Sequence, residues 1–165
     1  MSPEPAGREA VVIAADDGAD AEPLAKHDFE ALARFRFGIR RYLRFSEETV
    51  RKAGLTPQQY QLLLALKGFP DREWASVQEL ADQLQLRHHS VVELINRAQR
   101  QGLVDRGDHP SNGRAIRVFL TATGEYVLTR LSALHREQLR RMQAILTLPT
   151  WSDSDSPEPQ LNTGA

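Results

Sequence analysis

The chain contains no cysteine. That excludes a disulfide scaffold, a thiolate zinc site, a cysteine nucleophile and a thiol redox sensor. It also lacks a long apolar run. The longest stretches, 10–15 and 62–66, fall far short of the ~20 residues needed to span a bilayer. The first of them has only Arg8 before it as positive charge and lies between Glu9 and Asp16, which is not the layout of a secretory signal. A cytoplasmic protein with no membrane partner is expected. What the chain has is 165 residues, 41% of them hydrophobic and 26% charged, enough for one packed domain with tails.

A net charge of −1 points to no partner, but it is the sum of unlike parts. Residues 1–28 carry −5, residues 29–148 carry +7 and residues 149–165 carry −3. A basic body sits between two acidic segments. Residues 1–27 and 149–165 show no sustained period and are rich in Asp, Glu, Pro, Ser or Ala. They are expected to be disordered acidic tails around a domain at 28–148.

Inside that domain the helix signals are local. Asp28 is expected to cap a helix over 29–53, with Leu32, Phe35, Ile39, Tyr42, Leu43 and Val50 at helical spacing and Gly54 as its end. Thr56-Pro57-Gln58-Gln59 combines an N-cap, a proline at the first helical position and a glutamine at the third. The helix it opens is apolar nearly all round over 60–66 and should be deeply buried. Ser76-Val77-Gln78-Glu79 is a second capping box before a short helix. A fourth helix over 86–101 has Val91, Leu94, Ile95 and Ala98 as its apolar stripe, with Gly102 at its end. Segments 103–108 and 114–120 read as strands joined by His109-Pro110-Ser111-Asn112-Gly113, which is turn chemistry. Thr121 can cap a last helix over about 122–147, stopped by Pro149, with Leu128, Leu131, His135, Leu139, Met142 and Ile145 on one side.

The fold class is therefore mainly α with a small β-hairpin. Two short helices, a tight turn between them and a basic hairpin make a winged helix-turn-helix. Arg87, His88, His89 and Ser90 begin the fourth helix, and Glu93, Asn96, Arg97 and Arg100 continue its non-apolar side. A recognition helix needs this layout, with N-terminal residues at base edges and cations at phosphates. A merely solvated face has the same composition. Arg106, Arg114 and Arg117 bracket the hairpin, and a narrow arm with arginine near its tip suits a minor groove. Charged hairpin edges that prevent aggregation are the plainer reading.

The stretch SVQELADQLQLRHHSVVELINRAQRQGLVDRGDHPSNGRAIRVFLTATG resembles the MarR family of transcription regulators. The matching pieces are the helix-turn-helix at 76–101, the GLVDR run into the wing, the arginine of the wing tip and the LTATG exit. The resemblance covers roughly 29–147. It implies a homodimer joined through 29–53 and 122–148, with double-stranded DNA bound by 56–120 at a pseudo-palindromic site. It implies that Arg87, His88, His89, Ser90 and Glu93 face bases and that Arg114 enters the minor groove; the helix face and hairpin pattern read above add Arg97, Arg106 and Arg117 to the DNA-binding surface. It also allows a small-molecule effector, aromatic or anionic, to relieve repression. Three departures stand out. Arg87 occupies a position where the family often has a Ser or Thr cap, Asn112 stands where it often has Asp, and no further helix follows to complete a dimer interface.

The remaining candidates read more simply. No metal is expected at His88-His89, because no cysteine or nearby carboxylate cluster completes a site. His135 on an apolar stripe suits a satisfied core or interface histidine, with a pH-responsive dimer contact as the sharper reading. Phe35, Phe37, Tyr42, Phe45, Tyr60 and Trp74 suit core packing or the lining of an effector cleft. No nucleophile turn or phosphate-binding glycine loop is present, so neither an enzyme nor a bound cofactor is expected. The alternative to a DNA-binding regulator is a winged-helix module that binds protein.

Overall fold

A computed structural model describes residues 24–109 and 112–149; of residues 109 and 112–115 only the backbone is described. Five helices and three strands follow one another as α1 (Lys26–Lys52), α2 (Pro57–Lys67), β1 (Trp74–Ser76), α3 (Val77–Leu84), α4 (His88–Arg100), β2 (Val104–His109), β3 (Asn112–Leu120) and α5 (Ala122–Met142). The strands form an antiparallel sheet in the order β1-β3-β2. This is the expected class, mainly helical with a small sheet. The acidic segments 1–23 and 150–165 lie outside the described residues. No helix among the described residues is long and apolar enough to cross a membrane.

The two capping boxes form as their sequences require. Thr56 accepts from the Gln59 N–H at 3.2 Å, and the Gln59 side chain accepts from the Thr56 N–H at 2.9 Å. Gln59 is itself buried and donates to the Gln101 side chain at 2.7 Å, joining the start of α2 to the end of α4. Leu62, Leu63 and Leu66 of α2 are fully buried, although Leu64 is exposed, so α2 is central without being enclosed. Around it pack Leu80 and Ala81 of α3, Val91, Leu94, Ile95 and Ala98 of α4, Ala75 and Val118 of the sheet, and Leu128 and Leu131 of α5. Each buried leucine contributes about 1.5–3 kcal/mol, and together they set α4 against a rigid floor.

Glu79 closes the other box. It accepts from the Ser76 N–H at 2.8 Å and the Ser76 hydroxyl at 2.9 Å, and it meets the Arg72 guanidinium. Arg72 first, then Ser76, hold the Glu79 carboxyl below its ordinary value of 4.5, against the opposing effect of burial. A carboxylate depressed in the folded state stabilises above its unfolded pKa and loses that contribution as pH falls through the folded one. The melting temperature should therefore drop on acidification below about pH 4.5, and Glu79→Gln should lower it at neutral pH while flattening the acid limb. Thermal melts across that range check both; an unchanged acid limb in the variant would remove the assignment.

Four expectations are corrected. Helix α1 starts at Lys26, with Ala25 as N-cap, and Asp28 reaches back from the first turn to the Ala25 N–H at 2.8 Å. A carboxylate serves at either place, and the sequence does not say which. Helix α4 starts at His88 rather than 86, with Arg87 as its N-cap. Helix α5 ends at Met142, short of Pro149; Ile145 and Leu146 donate their N–H groups to the Met142 carbonyl and turn onto α1. They meet it at Gly38, where an added Cβ would stand 3.0 Å from Ile145. Strand β1 has no counterpart in the sequence reading; its three residues pair with Arg117, Val118 and Phe119 of β3.

His135 is buried on α5 and bonded within its own chain. Nδ1 lies 2.7 Å from the Leu131 carbonyl and Nε2 lies 2.8 Å from the Ser46 hydroxyl. A carbonyl only accepts, so Nδ1 carries the proton and Nε2 accepts from Ser46. The ring stacks on Tyr60 at 4.5 Å and meets the edges of Phe45 and Tyr42. It joins α1, α2 and α5 inside one protomer, the satisfied core histidine of the plainer reading.

Candidate nucleic-acid interface

The turn between α3 and α4 is three residues long. Gln85 takes φ +53° in the left-handed region, and the Leu86 N–H returns to the Ala81 carbonyl. This tight reversal sets α4 at an angle to α3, with one side of α4 against the core and one side outward. Within α4 the exposed residues are His88, His89, Glu93, Arg97 and Arg100. His89, Glu93 and Arg97 recur at four-residue spacing, so they form one stripe along the helix. Arg97 and Arg100 make no ion pair with any described residue, and neither does Glu93. Ser90 is half-buried at the margin of this stripe.

The first turn of α4 has no side-chain cap, because Arg87 cannot accept a hydrogen bond. No acidic residue stands in that turn. Free backbone N–H groups, the positive end of the helix and the exposed Arg87 thus coincide, an arrangement suited to an anion such as phosphate. Among the described residues no group of three His, Asp or Glu is placed to hold a metal.

The wing is β2 and β3, irregular between Asp108 and His109 at its tip. Arg114 lies within β3, but its side chain is outside the described part, as is that of Asn112. Arg117 is described. It sits opposite Gly107, whose missing side chain leaves room for the guanidinium, and lies 5.5 Å from the Phe119 ring with Nε unpartnered. Arg106 points the other way. Its Nη1 donates to Gln99 at 2.6 Å and its Nη2 to Asn96 at 2.7 Å, so its guanidinium is held against α4. The sequence reading grouped Arg106 with the wing arginines and missed its partners. Parity was the available signal, since Arg106 is two residues after the buried Val104 and shares its side of the strand.

The aromatic residues divide. Tyr42, Phe45 and Tyr60 gather round His135, whereas Trp74 lies on the sheet beside Arg72 at 4.4 Å, and Phe37 is exposed. A cavity of about 500 Å³ opens between the end of α1 and α5, lined by Phe45, Thr49, Lys52, Tyr126, Arg130 and Leu134 among others.

Comparison with known proteins agrees with this geometry. Residues 53–115 match the MarR family. An uncharacterised HTH-type transcriptional regulator of Bacillus subtilis, YsmB, is 28% identical over 95 residues, 58% of this chain; the match spans 63% of that relative's length. The crystal structure of AbsC, a MarR family transcriptional regulator from Streptomyces coelicolor, superposes with a TM-score of 0.63 at 21% identity, covering 78% of this chain and 86% of that one. A mutant of S. aureus MepR bound to an oligodeoxyribonucleotide superposes at 0.58 with 18% identity, covering 72% and 84%.

Proposed function

We propose, from the premise that this chain carries a MarR-family winged helix-turn-helix over residues 53–115, that it is a dimeric, sequence-specific DNA-binding regulator, a cytoplasmic repressor of pseudo-palindromic operators. The observation that carries this reading is the uncapped, basic first turn of α4 on an exposed stripe beside an arginine-bearing wing. Two such helices, one per protomer, would enter successive major grooves one helical turn apart. Arg87, His88, His89, Ser90 and Glu93 would meet bases and nearby phosphates, and Arg97 the backbone. Arg114 would enter the minor groove, with Arg117 behind it at the wing's base. Helices α1 and α5 would pair the protomers; Phe29, Phe37, Leu134 and Leu139 are exposed on them and support this. A small aromatic or anionic effector would enter the cavity between α1 and α5, where Lys52 and Arg130 supply charge.

Selection of bound fragments from genomic DNA tests the reading. An inverted repeat with half-sites about one helical turn apart is expected. Weak, sequence-independent retention that vanishes at modest salt would favour the protein-binding alternative. On the selected site, Arg114→Ala should weaken binding about tenfold to a hundredfold, the worth of one well-placed contact. Unchanged affinity by anisotropy titration would remove the wing role.

A further inference from the structure

We propose that Arg106 is a positioning residue: it fixes the angle between wing and recognition helix and does not itself contact DNA. This rests on the DNA-binding reading above. The guanidinium is planar and divides its donors between two acceptors one turn apart on α4, Asn96 Oδ1 at 2.7 Å and Gln99 Oε1 at 2.6 Å. The orientation of Gln99 is set from its other end, where Nε2 donates to Asp105 Oδ1 at 3.0 Å. The same oxygen accepts from the Arg106 backbone N–H at 2.8 Å. These four bonds link four residues, and two successive strand residues thereby hold one turn of the helix.

The site of this grip gives it leverage. Three further residues of β2 follow Arg106, about 10 Å of strand, so a tilt of about 10° at Arg106 moves the end of β2 by about 2 Å. That exceeds the tolerance of a hydrogen bond in a groove. The buried Leu103 and Val104, the β1–β3 pairing and the Thr121 bonds to Gly102 and Leu103 hold the root of the wing. The polar ring adds the directional tie that joins β2 itself to α4. The β2 strand is then held at a set angle to the body of α4 before any duplex arrives.

Arg106→Lys separates positioning from contact. Lys keeps the charge and binds phosphate well, but it lacks the fork that spans two acceptors. If Arg106 positions the wing, Arg106→Lys and Arg106→Gln should each lose about tenfold in affinity for the selected duplex. Adding Arg114→Ala to either should then cost far less than it does in the parent protein, because the wing contact is already impaired. Affinity of Arg106→Lys within about twofold of the parent, or additive losses, would overturn the proposal. A second readout needs no DNA. Hydrogen exchange in Arg106→Lys should speed up in β2 and β3 while α1 and α5 keep their protection. Unchanged exchange in the wing overturns the clamp. If the parent protein selects no duplex, the regulator reading fails by itself, and the exchange result alone decides whether the clamp exists. Should Arg106→Lys fold poorly, Gln99→Ala, which removes one acceptor and the link to Asp105, is expected to loosen the same strands; unaltered wing exchange there counts against the proposal equally.

Discussion

Gly124→Ala should destabilise the protein by about 3 kcal/mol or more, lowering its melting temperature by about 10 °C or abolishing the folded state. The position is the third of α5, directly over the residue that leaves α4 for the wing. A Cβ there would stand 1.9 Å from the Leu103 carbonyl oxygen and 2.9 Å from its carbon. Those atoms belong to the backbone and cannot turn aside. The same carbonyl accepts from the Thr121 N–H at 3.1 Å, and the Thr121 hydroxyl donates to the Gly102 carbonyl at 2.6 Å while accepting from the Gly124 N–H at 3.0 Å. The start of α5 is thus stitched to the start of the wing at van der Waals limits. Alanine, which stabilises most helix interiors, can enter only if α5 is pushed off the strand. A melt within about 2 °C of the parent would show that the contact yields more easily than its geometry implies.

If the protein is the dimeric DNA-binding regulator proposed above, its DNA affinity should fall roughly a thousandfold between about 50 and 200 mM salt, for about six phosphate contacts across a dimer. The body at 29–148 carries +7, and its exposed cations on α4 stand free of carboxylate partners among the described residues. Each phosphate they meet releases condensed counterions, and that release is what added salt opposes. Anisotropy titration of the selected duplex over this range gives the slope. A fall of less than about tenfold would mean that few phosphates are engaged and that the assigned basic surface lies elsewhere.

Much of this was legible in the chain because the chemistry is local. Thr56-Pro57-Gln58-Gln59 and Ser76-Val77-Gln78-Glu79 start their helices by bonding to backbone three residues away, so nothing distant is needed. The stripe Val91, Leu94, Ile95 and Ala98 also settles which side of α4 stays outside. The errors arose where distant residues decide. The helical period continues through Ile145, yet the helix ends at Met142 and Ile145 and Leu146 pack at Gly38 of α1. Three residues of β1 are too few to show a period and exist as a strand because β3 offers an open edge. The direction of Arg106 depends on α4 covering one side of the wing, which a charge pattern in sequence does not record.

The uncapped start of α4 has a thermodynamic consequence. A serine at position 87 would steady the helix by accepting one of its free N–H groups. That hydroxyl would then be an internal rival for any phosphate approaching the same groups, and binding would have to displace it. With arginine at 87 the rival is missing. The free protein forgoes about 1 kcal/mol of local stability, and on the proposed DNA-binding reading an incoming phosphate would become the cap. Folding of the first turn and occupation of the groove would then be linked: whatever strengthens the helix end from within should weaken its hold on DNA.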